Sequence, residues 1–125
     1  MTREPRDQAL SALYAADARS ATEVDVDGLG GRASRLAQAV WQQRGELDEV
    51  IGEYAIDWRV ERMPIVDRNV LRIGAYELLY SDTPVGVVID QAVELAKRYS
   101  TTKSGAFVNG ILDRMQERRR DHSAS

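Results

Sequence analysis

The sequence predicts an all-α fold, one compact bundle of about six helices, on three observations. Apolar side chains recur three and four residues apart in every long segment. No segment carries a convincing strand pattern, and there is no repeat or low-complexity block. The breaks between segments are mostly short and hold Ser, Asp, Gly or Pro. A chain of 125 residues is long enough for one core and too short for two.

The first helix is expected over residues 6–18, where Leu10, Leu13 and Tyr14 form an i, i+3, i+4 stripe. Residues 20–31, SATEVDVDGLGG, are acidic and end in glycines, which reads as a loop. A second helix over residues 32–43 turns Leu36 and Val40 inward. A third over residues 46–54 has the most regular pattern, in Leu47, Val50, Ile51 and Tyr54. Residues 58–63 accommodate one short turn. Pro64 then suits the first turn of a long helix, because its missing N–H is not needed there. From Ile65 to Tyr80 apolar side chains cover most of the circumference, the mark of a central helix. Gly74 lies within it, where helix propensity alone favours alanine by about 1 kcal/mol, so close packing of another helix is expected there.

Ser81-Asp82-Thr83-Pro84 ends that element. Residues 87–99 follow as a helix with Val88, Ala92, Leu95, Ala96 and Tyr99 on one face, and with Lys97 and Arg98 in a last turn that favours cations. The stretch STTKS leads into the final helix, with Ser104 the expected N-cap. That helix contains a puzzle. Asn109-Gly110 usually signals a tight turn, yet Phe107, Val108, Ile111, Leu112 and Met115 run through it at helical spacing. Gly110 is therefore expected to be a helix-packing contact. Beyond Met115 the chain is polar, so residues 1–118 are expected to form the domain and residues 119–125 a disordered tail.

Composition narrows the function. No apolar run approaches the ~20 residues of a membrane span, and MTREPRDQAL lacks the apolar stretch of a signal peptide. The absence of cysteine excludes disulfides and thiolate zinc sites, and an intracellular location fits. The net charge of −3 argues against a protein that coats nucleic acid unaided. Residues 41–83 carry five basic and nine acidic side chains, whereas residues 84–125 carry seven and five. The single histidine, His122, lies in the polar tail, so neither a His-based triad nor a histidine metal cluster can be assembled. No GxxxxGK phosphate loop occurs, and Asp90 and Glu94 are neighbours on a solvated helix face. Neither catalysis nor a cofactor is expected. Binding has better support. Arg3 and Arg6 could neutralise phosphates, although Glu4 and Asp7 are interleaved with them. Tyr14 suits either a core or a stacking position. Lys103 and Ser104 could offer a cation, a hydroxyl and helix N–H groups to an RNA backbone, or simply form a capped loop.

Four stretches together, RDQALSALYAAD, RMPIVDRNVLRIGAYELLY, VVIDQAVELAKRYS and SGAFVNGILDRM, resemble the NusB family of bacterial transcription antitermination factors. The paired AVELAK and FVNGILD motifs are specific in combination. The resemblance implies an all-α domain of six to seven helices in two subbundles, without catalytic activity, acting in the cytoplasm. It also implies binding to single-stranded boxA RNA of ribosomal RNA leader transcripts, as a heterodimer with the small-subunit ribosomal protein NusE. That pair serves the RNA polymerase antitermination complex. Position by position, Arg3 and Arg6 match arginines of the family's N-terminus and Tyr14 its tyrosine. Lys103 and Ser104 fall in a second RNA-facing segment, where Phe107 matches the family's phenylalanine. Glu77 matches a glutamate toward the NusE-binding surface, with Arg72 expected as an exposed neighbour. One departure is Glu4, which stands where many relatives carry a basic residue. It predicts weaker RNA binding alone and a shallower salt dependence, with a basic partner supplying the missing field. Two other readings stay open. One is a helical domain of the kind that precedes ribosomal RNA cytosine methyltransferases, marked by a Rossmann-like continuation. The other is a purely structural interaction protein, with a homodimer face on the apolar central helix.

Overall fold

All three prolines of the chain stand at a helix start, where the fixed φ and missing N–H cost nothing. The computed structural model describes residues 4–124, with side chains as far as Arg119. In order, α1 spans Pro5–Ala18, α2 Gly31–Gln42 and α3 Arg44–Tyr54. A 3₁₀ turn at Val60–Arg62 leads to α4 (Ile65–Tyr80), α5 (Val85–Tyr99) and α6 (Thr102–Ala124). No strand occurs among the described residues. The first four expected helices agree with these bounds to within two residues, and α5 starts two residues earlier than expected.

The central helix is α4, which contacts each of the other five. α1 pairs with α2, α5 pairs with α6, and α4 lies against both pairs and against α3. Ten of its sixteen residues are buried, as its near-continuous apolar circumference requires. Val70, Leu71, Ile73 and Leu78 join Leu13, Val40, Leu47, Ile51, Leu95, Ile111, Leu112 and Met115 in one core. Yet α4 also buries Asp67, Asn69, Arg72 and Glu77. A charge taken from water costs several kcal/mol unless it is paired and hydrogen-bonded. Arg72 and Glu77 are ion-paired and Asn69 is hydrogen-bonded, whereas Asp67 accepts from Ser104 at Oδ2 while its Oδ1 has no partner among the described residues.

Asp17, near the end of α1, receives the Arg68 guanidinium side-on, with Nε and Nη2 each donating at 2.6 Å. Asn69 Nδ2 donates to the same carboxylate at 2.8 Å, and Arg72 Nη1 at 3.0 Å. Arg72 also forms a fork with Asp48 of α3, at 2.8 and 2.7 Å. Arg72 is thus a buried cross-link, 6 % exposed, rather than the exposed neighbour the resemblance suggested.

The two glycines singled out in the sequence have opposite roles. A Cβ on Gly74 would come within 2.6 Å of Leu112 Cδ1 on α6, so backbone proximity explains this residue as expected. A Cβ on Gly110 would meet only Arg114 Nη1, at 3.7 Å. Gly110 is not a helix-crossing contact, because its face of α6 points away from the core.

α6 begins earlier and continues further than its sequence pattern suggests. Its N-cap is Thr101, whose Oγ1 accepts from the Ser104 N–H at 3.0 Å, so Ser104 lies inside the first turn. At the other end the helix runs to Ala124. Arg119 anchors it on α4. Its guanidinium donates to the carbonyls of Leu78 (2.8 Å) and Ser81 (2.9 Å), and also to those of Glu77 and Thr83. It thereby ties α6 to the last turn of α4 and the loop beyond it, adding to the Ser81 N–H that the Glu77 carbonyl already accepts.

Two outcomes follow. Gly74→Ala is expected to lose about 1–3 kcal/mol by crowding the fully buried Leu112, while Gly110→Ala gains up to about 1 kcal/mol of helix propensity; denaturant unfolding distinguishes them. Burial opposes the charge on Asp17, but the hydrogen bonds from Arg68 and Asn69 and the charges of Arg72 and Arg68 prevail, holding its pKa below the ordinary value. The sign is that of a depressed acid. Its contribution is complete above the unfolded aspartate value of about 4 and is lost as pH falls through the lower folded value. Thermal melts of Asp17→Asn should be lower than wild type near neutrality and should lose part of the acid-side slope.

Candidate nucleic-acid interface

Positive charge can meet a ligand only where the fold has not already neutralised it. Arg6 is the clearest case. Near the start of α1, it faces Glu77 near the end of α4, with Nε and Nη2 donating to the carboxylate at 2.8 and 2.6 Å. Their side chains are 20 % and 9 % exposed. Two residues assigned to different surfaces, one for RNA and one for a protein partner, are therefore a single ion pair. It sits in a cleft of about 560 Å³ that also holds Arg32 and Arg35 of α2 and Tyr76 of α4. Arg32 and Arg35 are exposed cations that the sequence pattern did not single out. Arg3 lies outside the described residues.

Tyr14 resolves toward the surface. It is 45 % exposed and lines a groove of about 320 Å³ with Ser11, Leu10, Val66 and Tyr99. Tyr99 was expected among the inward residues of α5, but it is 40 % exposed. It is the last residue of its helix, where the core-facing stripe has passed beyond the body it packs on. Two phenol rings thus border one groove. Beside it, Arg98 Nη1 donates to both oxygens of Asp7 at 2.9 Å, which ties α5 to α1.

Ser104 is not available to an RNA backbone. It is 7 % exposed, donates from Oγ to Asp67 Oδ2 at 2.9 Å, and bonds to the hydroxyls of Ser100 and Thr101. It is a contact between α6 and α4, placed there because Thr101 starts the helix three residues earlier. Lys103, next to it, is exposed. Phe107 lies four residues on, on the same side of α6. It is half-buried, and its ring packs edge-on against Trp58 with centroids 5.4 Å apart.

Arg6 and Lys103 do not share one ledge. Arg6 is fixed at Glu77, and the turn holding Lys103 is fixed through Ser104 at Asp67, ten residues away on α4. At 1.5 Å per residue that separation is about 15 Å. The structure instead gathers Tyr14, Tyr99 and the Ser100–Lys103 turn at the N-terminal end of α4, with the arginine cleft at its other end.

This is the arrangement of a helical binding module that holds exposed rings and free cations around a buried, charge-paired helix. Comparison with known proteins gives it a family. The NusB family model matches residues 3–117, and the chain belongs to that family. It is 50 % identical over 93 residues to the transcription antitermination protein NusB of Streptomyces coelicolor, covering 74 % of this chain and 58 % of that protein. It is 38 % identical over 130 residues to the NusB of Elusimicrobium minutum, with 93 % of each covered. Among solved structures it resembles T. maritima NusB, with a TM-score of 0.76, 34 % identity and 94 % and 93 % of the two chains covered. It also resembles a chain in the crystal structure of antitermination factors NusB and NusE in complex with dsRNA. There the TM-score is 0.76 at 28 % identity, with 91 % and 94 % covered.

The Arg6–Glu77 pair has a measurable consequence. Arg6→Ala should lower stability by about 2 kcal/mol, because it strands a largely buried carboxylate. Lys103→Ala should stay within about 0.5 kcal/mol, as expected for an exposed residue. Chemical denaturation of the two variants checks both figures.

Proposed function

We propose that this chain is a transcription antitermination factor that binds boxA RNA of ribosomal RNA leader transcripts as a heterodimer with the ribosomal protein NusE. In this role it promotes read-through by RNA polymerase in the cytoplasm. The observation that carries the reading is the family match across residues 3–117, joined to the likeness to a chain in a NusB–NusE–RNA complex. The surface chemistry supports it. Exposed Tyr14 and half-buried Phe107 offer rings to unpaired bases, and Lys103 offers charge to phosphates. Single-stranded RNA suits such a surface, because its bases are free to leave the stack.

The work is binding and not covalent chemistry. Glu77 lies at the cleft lined by Arg32, Arg35 and Arg6 and is paired with Arg6 there. Most of the acidic excess lies in residues 41–83, which complements a basic ribosomal protein. The partner then completes the positive field that the chain lacks alone.

Electrophoretic mobility with boxA RNA, with and without NusE, tests the reading. The mixture should bind boxA more tightly than either protein alone and more tightly than a scrambled RNA. Equal binding of the two RNAs overturns it. Lys103→Ala should weaken boxA binding and reduce the salt slope by about 0.7, the loss of one single-strand phosphate contact.

A further inference from the structure

The Asn109-Gly110 puzzle leads to a second feature of α6. Lys103, Phe107, Gly110 and Arg114 follow one another at i, i+4, i+7 and i+11, a single stripe along the flank of α6, beside its core-facing side. Beside it the chain leaves α3 through Ala55 and Ile56 and turns at Asp57, whose φ of 67° is left-handed. That turn brings Trp58 back against α6. The result is a cleft of about 270 Å³ walled by Ile56, Trp58 and Phe107, with Gly110 and Arg114 on its α6 side.

Four observations define what fits. Trp58 is 53 % exposed and Ile56 66 %, so large apolar surfaces face solvent. The Trp58 and Phe107 rings stand 68° apart, forming a corner rather than a closed stack. The missing side chain at Gly110 keeps the cleft open, since an added Cβ there meets only the Arg114 guanidinium. Arg114 is held by the Tyr54 carbonyl at 2.7 Å, which positions its charge without cancelling it, and no carboxylate lines the cleft. The nearby Glu53 pairs instead with Arg118, at 3.5 Å.

We propose that this cleft receives one unpaired base of a bound RNA. The base lies against Trp58 and Phe107, and its flanking phosphates meet Arg114 and Lys103. The inference rests on the RNA-binding reading above and adds Trp58, Gly110 and Arg114 to it. A flat π-system with negative charge at its edge matches an aromatic corner bordered by uncancelled cations. A basic protein segment does not, because Arg114 and Lys103 would repel it.

The chain has two tryptophans, and Trp41 is buried at 4 % exposure, so changes in accessible tryptophan emission report on Trp58. Titration of the full chain with boxA RNA in the presence of NusE should quench that emission, and Trp58→Phe should abolish the RNA-dependent change. Trp58→Ala should weaken binding roughly five-fold to a hundred-fold, the range for losing one stacked base, with Trp58→Phe closer to wild type. Gly110→Leu fills the cleft from a half-buried position outside the core. It should weaken RNA binding without lowering the melting temperature, and so serves if Trp58→Ala folds poorly. Replacing single bases by abasic sites should locate one position whose loss matches that of Gly110→Leu. Undiminished boxA affinity in Gly110→Leu and Trp58→Ala overturns the cleft and leaves the RNA reading intact. Quenching by NusE alone, without RNA, makes the cleft a protein contact and also overturns it. Failure of the wild-type pair to bind boxA removes both.

Discussion

The structure depends on a helix that must be buried and yet carries charge. α4 is surrounded by the other five helices, and along it lie Asp67, Arg68, Asn69, Arg72 and Glu77. Each of these groups must find a partner or stay in water. The partners come from α1, α3 and α6, so satisfying the charges also sets how those helices dock. α1 carries Arg6 near its start and Asp17 near its end, eleven residues apart, about 16 Å. α4 carries Arg68 and Arg72 early and Glu77 late. Laid antiparallel, both ends match, with Arg6 on Glu77 and Asp17 on Arg68 and Arg72. Laid parallel, arginine would face arginine and carboxylate would face carboxylate. Hydrophobic burial supplies the drive to pack α1 on α4 without choosing its direction, whereas the ion pairs penalise the wrong one.

That commitment determines what remains for a ligand. Arginines number high in this chain, but Arg6, Arg68, Arg72 and Arg119 are engaged in holding α4 to its neighbours. A count of basic residues therefore overstates the field presented to any ligand. Other cations lie at the rim, among them Lys103 on α6 and Arg32 and Arg35 on α2. With a net charge of −3, such a protein attracts a polyanion weakly at long range.

Much of the fold was legible in the sequence because apolar periodicity records which face of a helix is covered. The long apolar girth of α4 identified the centre, and Pro64 marked its start. Less legible was which partner a polar residue would take, since that is set by residues tens of positions away. Arg72 and Ser104 look solvent-directed in their local context, yet Asp48 and Asp67 draw them inside. Arg119 sits in a polar run with no apolar neighbour to suggest a role, and its function lies in carbonyls about forty residues earlier. Tyr99 errs the other way. Its spacing places it on the inward stripe, but at the helix end it borders an open groove with α1 and α4 and is only partly covered. In each case the pattern reports the helix correctly and misses the boundary of what packs against it.

The two glycines show the same limit in its simplest form. Both Gly74 and Gly110 interrupt apolar helices, and composition alone assigns them the same reason. Their neighbours one turn away separate them. Gly74 has Val70, Leu71 and Leu78 around it, all in the core, whereas Gly110 has Ala106, Phe107, Asp113 and Arg114, mostly at the surface. One glycine removes a side chain so that α6 can approach, and the other removes a side chain so that nothing fills the space beside Phe107. α6 uses both results at once. Its Val108, Ile111, Leu112 and Met115 close the core, and the reverse face stays open, ringed by Trp58, Phe107 and Arg114. A helix that seals one interior can offer a second surface only if that surface is left incompletely packed, and Gly110 is the residue that leaves it so.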